Sequence, residues 1–203
     1  RDDVESRGLG DVYKRQFVMR KNFGQKTWMY PMPVLMIGTY DENGKANLMN
    51  AAWGGIYDYN HVVLSLSAGH KTTQNIRLKG AFTISFADTP HMAACDYVGL
   101  VSGNKVSDKL EKAGFTTEKS AFVDAPIICE LSMALECKLV KFNEDGNIIG
   151  EIVNVSADEC VLGEDGLIDA AKLRAIAYDA VHNDYLVLGE KVGNAFKDGN
   201  KLK

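Results

Sequence analysis

The sequence predicts a mainly β fold, a closed antiparallel barrel with short helices inserted between its strands. Three observations carry this reading. Seven runs have the composition of strands, two tight glycine-bearing turns mark hairpins, and the regular strand–helix–strand crossovers that a parallel sheet requires are missing.

In chain order, the first strand is Val34–Tyr40, entered through MYPMPVLMIG at 29–38. Arg20, Lys21 and Lys26 ahead of that apolar run give it the outline of a secretory signal, but two prolines and no small-residue cleavage site argue for a strand entry. Asp41-Glu42-Asn43-Gly44 then turns the chain into Ala46–Ala52, with glycine where a short connection needs positive φ. Val62–Ser67 is the next strand, followed by a helix over Thr72–Lys79 and a strand over Ala81–Ala87. Thr89-Pro90 starts a helix over His91–Val98, and Ser107–Ala113 is a short helix stopped by Gly114. Ala134–Phe142 and Ile148–Ser156 form a second hairpin through Glu144-Asp145-Gly146-Asn147; a helix over Asp169–Ile176 and a strand over Tyr185–Leu188 complete the series.

The first sixteen residues show no apolar period, and their charges and glycines follow neither helix nor strand logic. Back-translated, Ser6–Gln16 resembles a transposase-based sequencing adapter, with Arg1–Glu5 fitting the index primer upstream; the alternative is a genuine disordered extension. On either reading residues 1–16 are excluded from the fold, and the expected native start is Met19. Residues 19–203 then have a length suited to one domain.

Residues 1–16 carry as many basic as acidic side chains, so the net charge of −4 belongs to the remainder and disfavours a nucleic-acid partner. Cys95, Cys129, Cys137 and Cys160 have no CxxC spacing, which suits reduced, mostly buried thiols in a cytoplasmic protein and gives no metal-ligand pattern. No apolar run is long enough to cross a bilayer.

Three stretches carry chemistry. NAAWGG at 50–55 lines up an amide, two methyl side chains, an indole and two glycines where a core strand would place Val, Ile or Phe. Asn50, Ala51 and Ala52 describe one wall of a slot for a planar heteroaromatic ring, with Gly54 and Gly55 allowing close backbone approach. Trp53 either stacks on such a ring or is a core tryptophan beside a bulge. In SLSAGHKTTQNI at 65–76, Ser67, His70, Lys71, Thr72 and Thr73 gather hydroxyls, a cation and helix N-terminal amides, a plausible phosphate cradle. Against that, Thr72 is an ordinary N-cap and Lys71 a solvated charge. No GxGxxG or GxxxxGK[ST] is present. VSGNKVSDK at 101–109 is a polar loop in which Ser102 and Gly103 can turn and Lys105 can reach over a ligand, or else a plain solvated loop.

Taken together, YPMPVLMIGTYDENGKANLMNAAWGG at 30–55, T-x-x-N-I at 72–76, DYVGLVSGNKVSDK at 96–109, VDAPII at 123–128, ALECKL at 134–139, IIGEIVNV at 148–155 and YLVLGEKVGNAF at 185–196 resemble the flavin reductase-like, flavoredoxin-type proteins with an FMN-binding split barrel. The resemblance runs from about Phe23 to Phe196. It implies a homodimer of six-stranded antiparallel Greek-key barrels with FMN near the subunit interface. It also implies that Asn50, Ala51, Ala52 and Trp53 approach the isoalloxazine, that Ser67–Thr73 receives the phosphate, that Ser102, Gly103 and Lys105 cover the ligand, and that Asn47 is a further cofactor-binding residue. His182 and Tyr185 lie where relatives also approach the flavin. Many relatives carry an arginine at the strand end where this chain has Ser67-Ala68-Gly69, so the cation meeting the phosphate is left open.

The chemistry implied is hydride transfer from NADH or NADPH to the flavin, with electrons passed on to a free flavin, an iron protein or another redox partner. The protein's part is to bind and orient, and no catalytic side chain is singled out. An electron-transfer flavoprotein reduced by another protein is the second reading. A non-redox ligand carrier on the same barrel is the third.

Overall fold

The computed structural model describes residues 20–203. Both readings of residues 1–16, and the proposed start at Met19, lie outside them. In chain order the strands and helices are β1 (Met32–Pro33), β2 (Leu35–Tyr40), β3 (Ala46–Ala51), β4 (Gly54–Ile56), β5 (His61–Leu64), α1 (Lys71–Lys79), β6 (Ala81–Phe86), α2 (Met92–Leu100) and α3 (Lys109–Ala113). They continue as β7 (Thr117–Lys119), β8 (Pro126–Ile128), β9 (Met133–Phe142), β10 (Ile148–Ala157), α4 (Ala170–Leu173), β11 (Ile176–Asp179) and β12 (Asp184–Val187).

The main sheet has seven strands in the order β3-β2-β6-β9-β10-β5-β4, with every pair antiparallel. Six of them match the expected barrel strands, and the three-residue β4 is the addition. This order forces curvature. β3 and β4 lie at opposite edges, which in a flat sheet would be about 29 Å apart at ~4.8 Å per strand, yet only Ala52 and Trp53 join them. The three peptide steps from Ala51 to Gly54 reach about 10 Å, so the sheet must curl until these edge ends come close, although β3 and β4 do not pair. The side chains report the closure: a Cβ on Gly54 of β4 would come within 2.8 Å of both Leu35 of β2 and Leu64 of β5. The smallness of Gly54 therefore serves barrel packing rather than the approach of a ligand.

Inside the roll, Leu35, Ile37, Leu64, Phe82, Ile84, Cys137 and Ile148 form one buried cluster. Outside it, Met36, Leu48, Val98, Phe115, Ile128 and Ile176 form a second, between the sheet and the covering helices and hairpins. β2 supplies both clusters, so it is apolar on both faces and reads as a continuous apolar run rather than an alternation. Both turns behave as their sequences demand. Gly44 and Gly146 have φ of 76° and 81°, and the Asp41 carboxylate accepts from the backbone N–H of Asn43 and Lys45 at 2.9 and 2.8 Å.

The expected helix over Asp169–Ile176 is a correction. It ends at Leu173, Arg174 adopts a left-handed φ of 52°, and Ile176 opens β11. AAKL has no glycine or proline to stop it, and what wins is burial of Ile176 in the outer cluster as a strand. β11 pairs with β1 and β12 in a three-stranded sheet. At its end Asp179 accepts from the Tyr30 hydroxyl, from the Val181 N–H at 2.8 Å and from His182 Nδ1 at 2.8 Å.

The Tyr30 hydroxyl, followed by His182, holds the Asp179 carboxyl down at about 2. A depressed carboxylate adds stability above its ordinary pKa of 3.8 and loses it as pH falls toward 2. Asp179→Asn is expected to lower the melting temperature at neutral pH, with the gap to wild type closing over that acid window. A gap that persists at the acid end in melts run against pH would contradict the clamp.

All four cysteines are free, but only Cys95 and Cys137 are buried, whereas Cys129 and Cys160 are exposed. Burial pushes both inner thiols up to about 12. Among the described residues no helix is long and apolar enough to cross a membrane.

Candidate functional site

β3 runs to the seam at Ala52-Trp53 while β5 runs out through Ser65-Leu66-Ser67, and the β11–β12 hairpin stands over the space between them. The resulting cleft has a volume of about 370 Å3 and is lined by Met49, Asn50, Ala51, Ala52 and Trp53 on one side. Ser65, Leu66, Ser67 and His70, with Tyr178 and Tyr185, face them. The two methyl side chains keep the wall flat. Trp53 is 51% exposed, so it is not a core tryptophan.

Asn50 is fixed: its Nδ2 donates to the Cys95 carbonyl at 3.1 Å, and a Cβ on Gly99 would fall 2.2 Å from its Oδ1. The Tyr185 hydroxyl donates to Asp96 at 2.6 Å and that of Tyr178 to Asn183 at 2.7 Å. Burial, reinforced by the Asp96 carboxylate, raises the Tyr185 pKa, so the phenol stays protonated and acts as wall and donor.

A second cleft of about 320 Å3 adjoins the first and shares Met49, Asn50 and His70 with it. It opens on the start of α1, where His70 is the N-cap residue but offers no side-chain hydrogen bond. The first N–H groups of a helix lack intrahelical acceptors and carry the positive end of its dipole. Thr72 lies one residue inside the helix rather than at its N-cap. Its Oγ1 accepts from Asn47 Nδ2 at 2.9 Å, leaving its hydroxyl proton to donate elsewhere. The Ser102–Lys105 loop is tied over this helix start, since Asn104 Nδ2 donates to the Gly69 carbonyl at 3.0 Å and Gly103 packs on Asn47.

Eleven of the thirteen residues singled out from the sequence line these two joined clefts: Asn47, Asn50, Ala51, Ala52, Trp53, Ser67, His70, Lys71, Thr72, Ser102 and Gly103. Thr73 and Lys105 do not. The Thr73 hydroxyl turns back to donate to the Ser67 carbonyl at 2.9 Å, and Lys105 is exposed on the outside of the loop. Lys71 lines the cleft, but its ammonium pairs with Glu42 at 3.2 Å. His182 lines neither cleft. Tyr178 and Lys109 were missed. The turn before Tyr185 did carry a signal, for Asn183 takes a left-handed φ of 61° between the two tyrosine strands. Lys109 sits in a charged stretch that reads as solvent-facing.

A family model described as "Flavin reductase like domain" matches residues 27–177. The chain belongs to the flavin reductase-like family. Its FMN-binding split-barrel architecture agrees with solved members. Flavoredoxin of Desulfovibrio vulgaris (Miyazaki F) superposes with a TM-score of 0.86 at 37% identity, over 89% of this chain and all of that one. Flavoredoxin from Methanosarcina acetivorans gives 0.82 at 28% identity, over 91% of this chain and 100% of that one. An uncharacterised protein of Archaeoglobus fulgidus is 29% identical over 134 residues, 64% of this chain and 74% of that protein.

Proposed function

We propose that the chain binds FMN across the two joined clefts and works as an NAD(P)H-dependent flavin reductase-type oxidoreductase. The observation that carries this reading is the junction at Met49, Asn50 and His70: a flat, largely apolar slot runs without interruption into a polar cleft at a helix N-terminus. A ligand with a planar ring at one end and a phosphate at the other satisfies both halves. Asn50 presents a fixed amide at the ring edge, Ala51 and Ala52 leave room for the ring's face, and Trp53, Tyr178 and Tyr185 shield it from water. The α1 amides, the Thr72 hydroxyl and Ser102 meet the phosphate. Bound there, the flavin supplies hydride-accepting and electron-donating chemistry. The residues' work is orientation, and no side chain is needed as acid or base.

The test is colour. Protein carrying FMN, mixed with NADH or NADPH in the absence of oxygen, should bleach rapidly. Colour that persists with both donors, yet bleaches with a reduced redox protein, favours an electron-transfer flavoprotein, the second reading, which the likeness to two flavoredoxins supports. A colourless protein that takes up no FMN would refute both.

The assembly we propose is a homodimer in which a second copy completes the wall of the slot. Trp28, Met29, Tyr30, Trp53 and Ile56 are exposed apolar side chains around the seam, a surface that a partner subunit would cover. Ligand that binds the dimer preferentially stabilises it by linkage. Sedimentation of the FMN-bound protein at micromolar concentration should show a dimer, and a fully occupied monomer would contradict it. The free thiols at Cys129 and Cys160 suit a reducing compartment, the cytoplasm.

A further inference from the structure

Lys109 begins α3, yet its side chain is 3% exposed. Its Nζ donates to the carbonyls of Val98 and Val101 at 3.0 and 3.2 Å, at the end of α2. Those bonds occupy two of the three ammonium protons. Among the described residues no carboxylate pairs with it, and burial alone pushes it down to about 8. A buried ammonium without a counter-charge is a costly arrangement unless something anionic completes it.

The surroundings leave that role to a ligand. Lys109 lines the same cleft as the α1 N-terminus, Thr72 and Ser102, and no carboxylate lines that cleft. The nearby acids lie elsewhere. Asp108, on its own element, pairs with Lys112 at 3.1 Å and feels Lys45; Glu111, also on α3, is exposed and acts on Lys112; Asp96 of α2 is taken by Tyr185; and Glu42 is taken by Lys71. Cys95 of α2 is neutral, Tyr97 also belongs to α2, and His70 and Lys71 at the start of α1 line the cleft with Lys109.

We propose that Lys109 is the fixed counter-charge for the phosphate monoester of the flavin, and so the residue that makes the site prefer FMN to riboflavin. The inference rests on the reading that a flavin occupies the joined clefts. It resolves which cation meets the phosphate in favour of a side chain the sequence had concealed, with Lys71 held outward by Glu42. Because the two carbonyls belong to the end of α2 and the start of the covering loop, the same ammonium couples phosphate binding to loop position.

Lys109→Met keeps the length and the apolar stem while removing the charge. Titrations of FMN and of riboflavin into flavin-free protein should show about 10–100-fold weaker FMN binding in this variant, the loss of one charge-assisted hydrogen bond or slightly more, with riboflavin unchanged. Lys109→Arg should retain much of the preference. Wild type supplies a readout that needs no variant. Phosphate binding favours the protonated amine, so the FMN-to-riboflavin affinity ratio should fall by up to about tenfold per pH unit above about pH 8. Equal losses for both flavins, with a ratio flat in pH, would overturn the inference and leave Lys109 as a cap on the α2 carbonyls. Unchanged FMN affinity in Lys109→Met would overturn it too. Wild-type protein that binds neither flavin is a different failure: it removes the flavin reading itself and this inference with it.

Discussion

Truncating Phe82 to alanine is expected to destabilise the protein by about 3–5 kcal/mol, the range for removing a fully buried phenyl ring. Phe82 is completely buried on β6 in the inner cluster. Its ring fills the space that a side chain on β10 would otherwise claim. A Cβ on Gly150 would lie 2.4 Å from Phe82 Cζ. Gly150→Ala should therefore be strongly destabilising alone but milder in the Phe82→Ala background, where the methyl enters the cavity. Urea unfolding of the two single variants and the double variant checks this, with the midpoint shifting and the slope unchanged. Strict additivity would contradict the packing described.

Gly99→Ala is expected to damage the site rather than the core. The new methyl would lie 2.2–2.5 Å from the Asn50 amide atoms. That amide cannot swing aside without giving up its bond to the Cys95 carbonyl. Overpacking of this kind costs about 1–3 kcal/mol, and the displaced amide stands where the two clefts meet. FMN and riboflavin should weaken together by roughly tenfold or more, one lost hydrogen bond plus the steric shift. Parallel titrations separate this from the phosphate-selective loss at Lys109. Full affinity for both flavins would mean that Asn50 does not contact the ring.

Much of the barrel was legible because its long strands carry local signals. The β2–β3 and β9–β10 hairpins announce themselves by Asp41–Gly44 and Glu144–Asn147, and each strand is long enough for its composition to dominate. β1, β4, β7, β8 and β11 were not legible. They are two to four residues long and exist through pairing with distant segments, as Met32 does with Tyr178 and Thr117 with Ile128. The site divides in the same way. Ala51, Ala52 and Thr72 stand out because small or hydroxylated side chains are unexpected where they occur. Tyr178 reaches the cleft only through the hairpin of β11 and β12, where it pairs with Tyr185, which the family resemblance alone points to. Lys109 is buried by α2 and β3 from elsewhere in the chain, which no pattern in SDKLEK reveals.

The two-residue link at Ala52-Trp53 has a consequence for how such a chain can change. Most surface turns tolerate insertion, because each doubling of loop length adds only about 0.6 kcal/mol of closure entropy. Asp41–Gly44 and Glu144–Asn147 should accept extra residues on those terms. The seam should not. A longer connection would free the two outer edges of the sheet to drift apart and would carry the indole of Trp53 away from the slot it borders. Architecture and ligand wall share one stretch of backbone here, so variation in length is confined to the hairpin turns, and at the seam evolution can exchange side chains but not count.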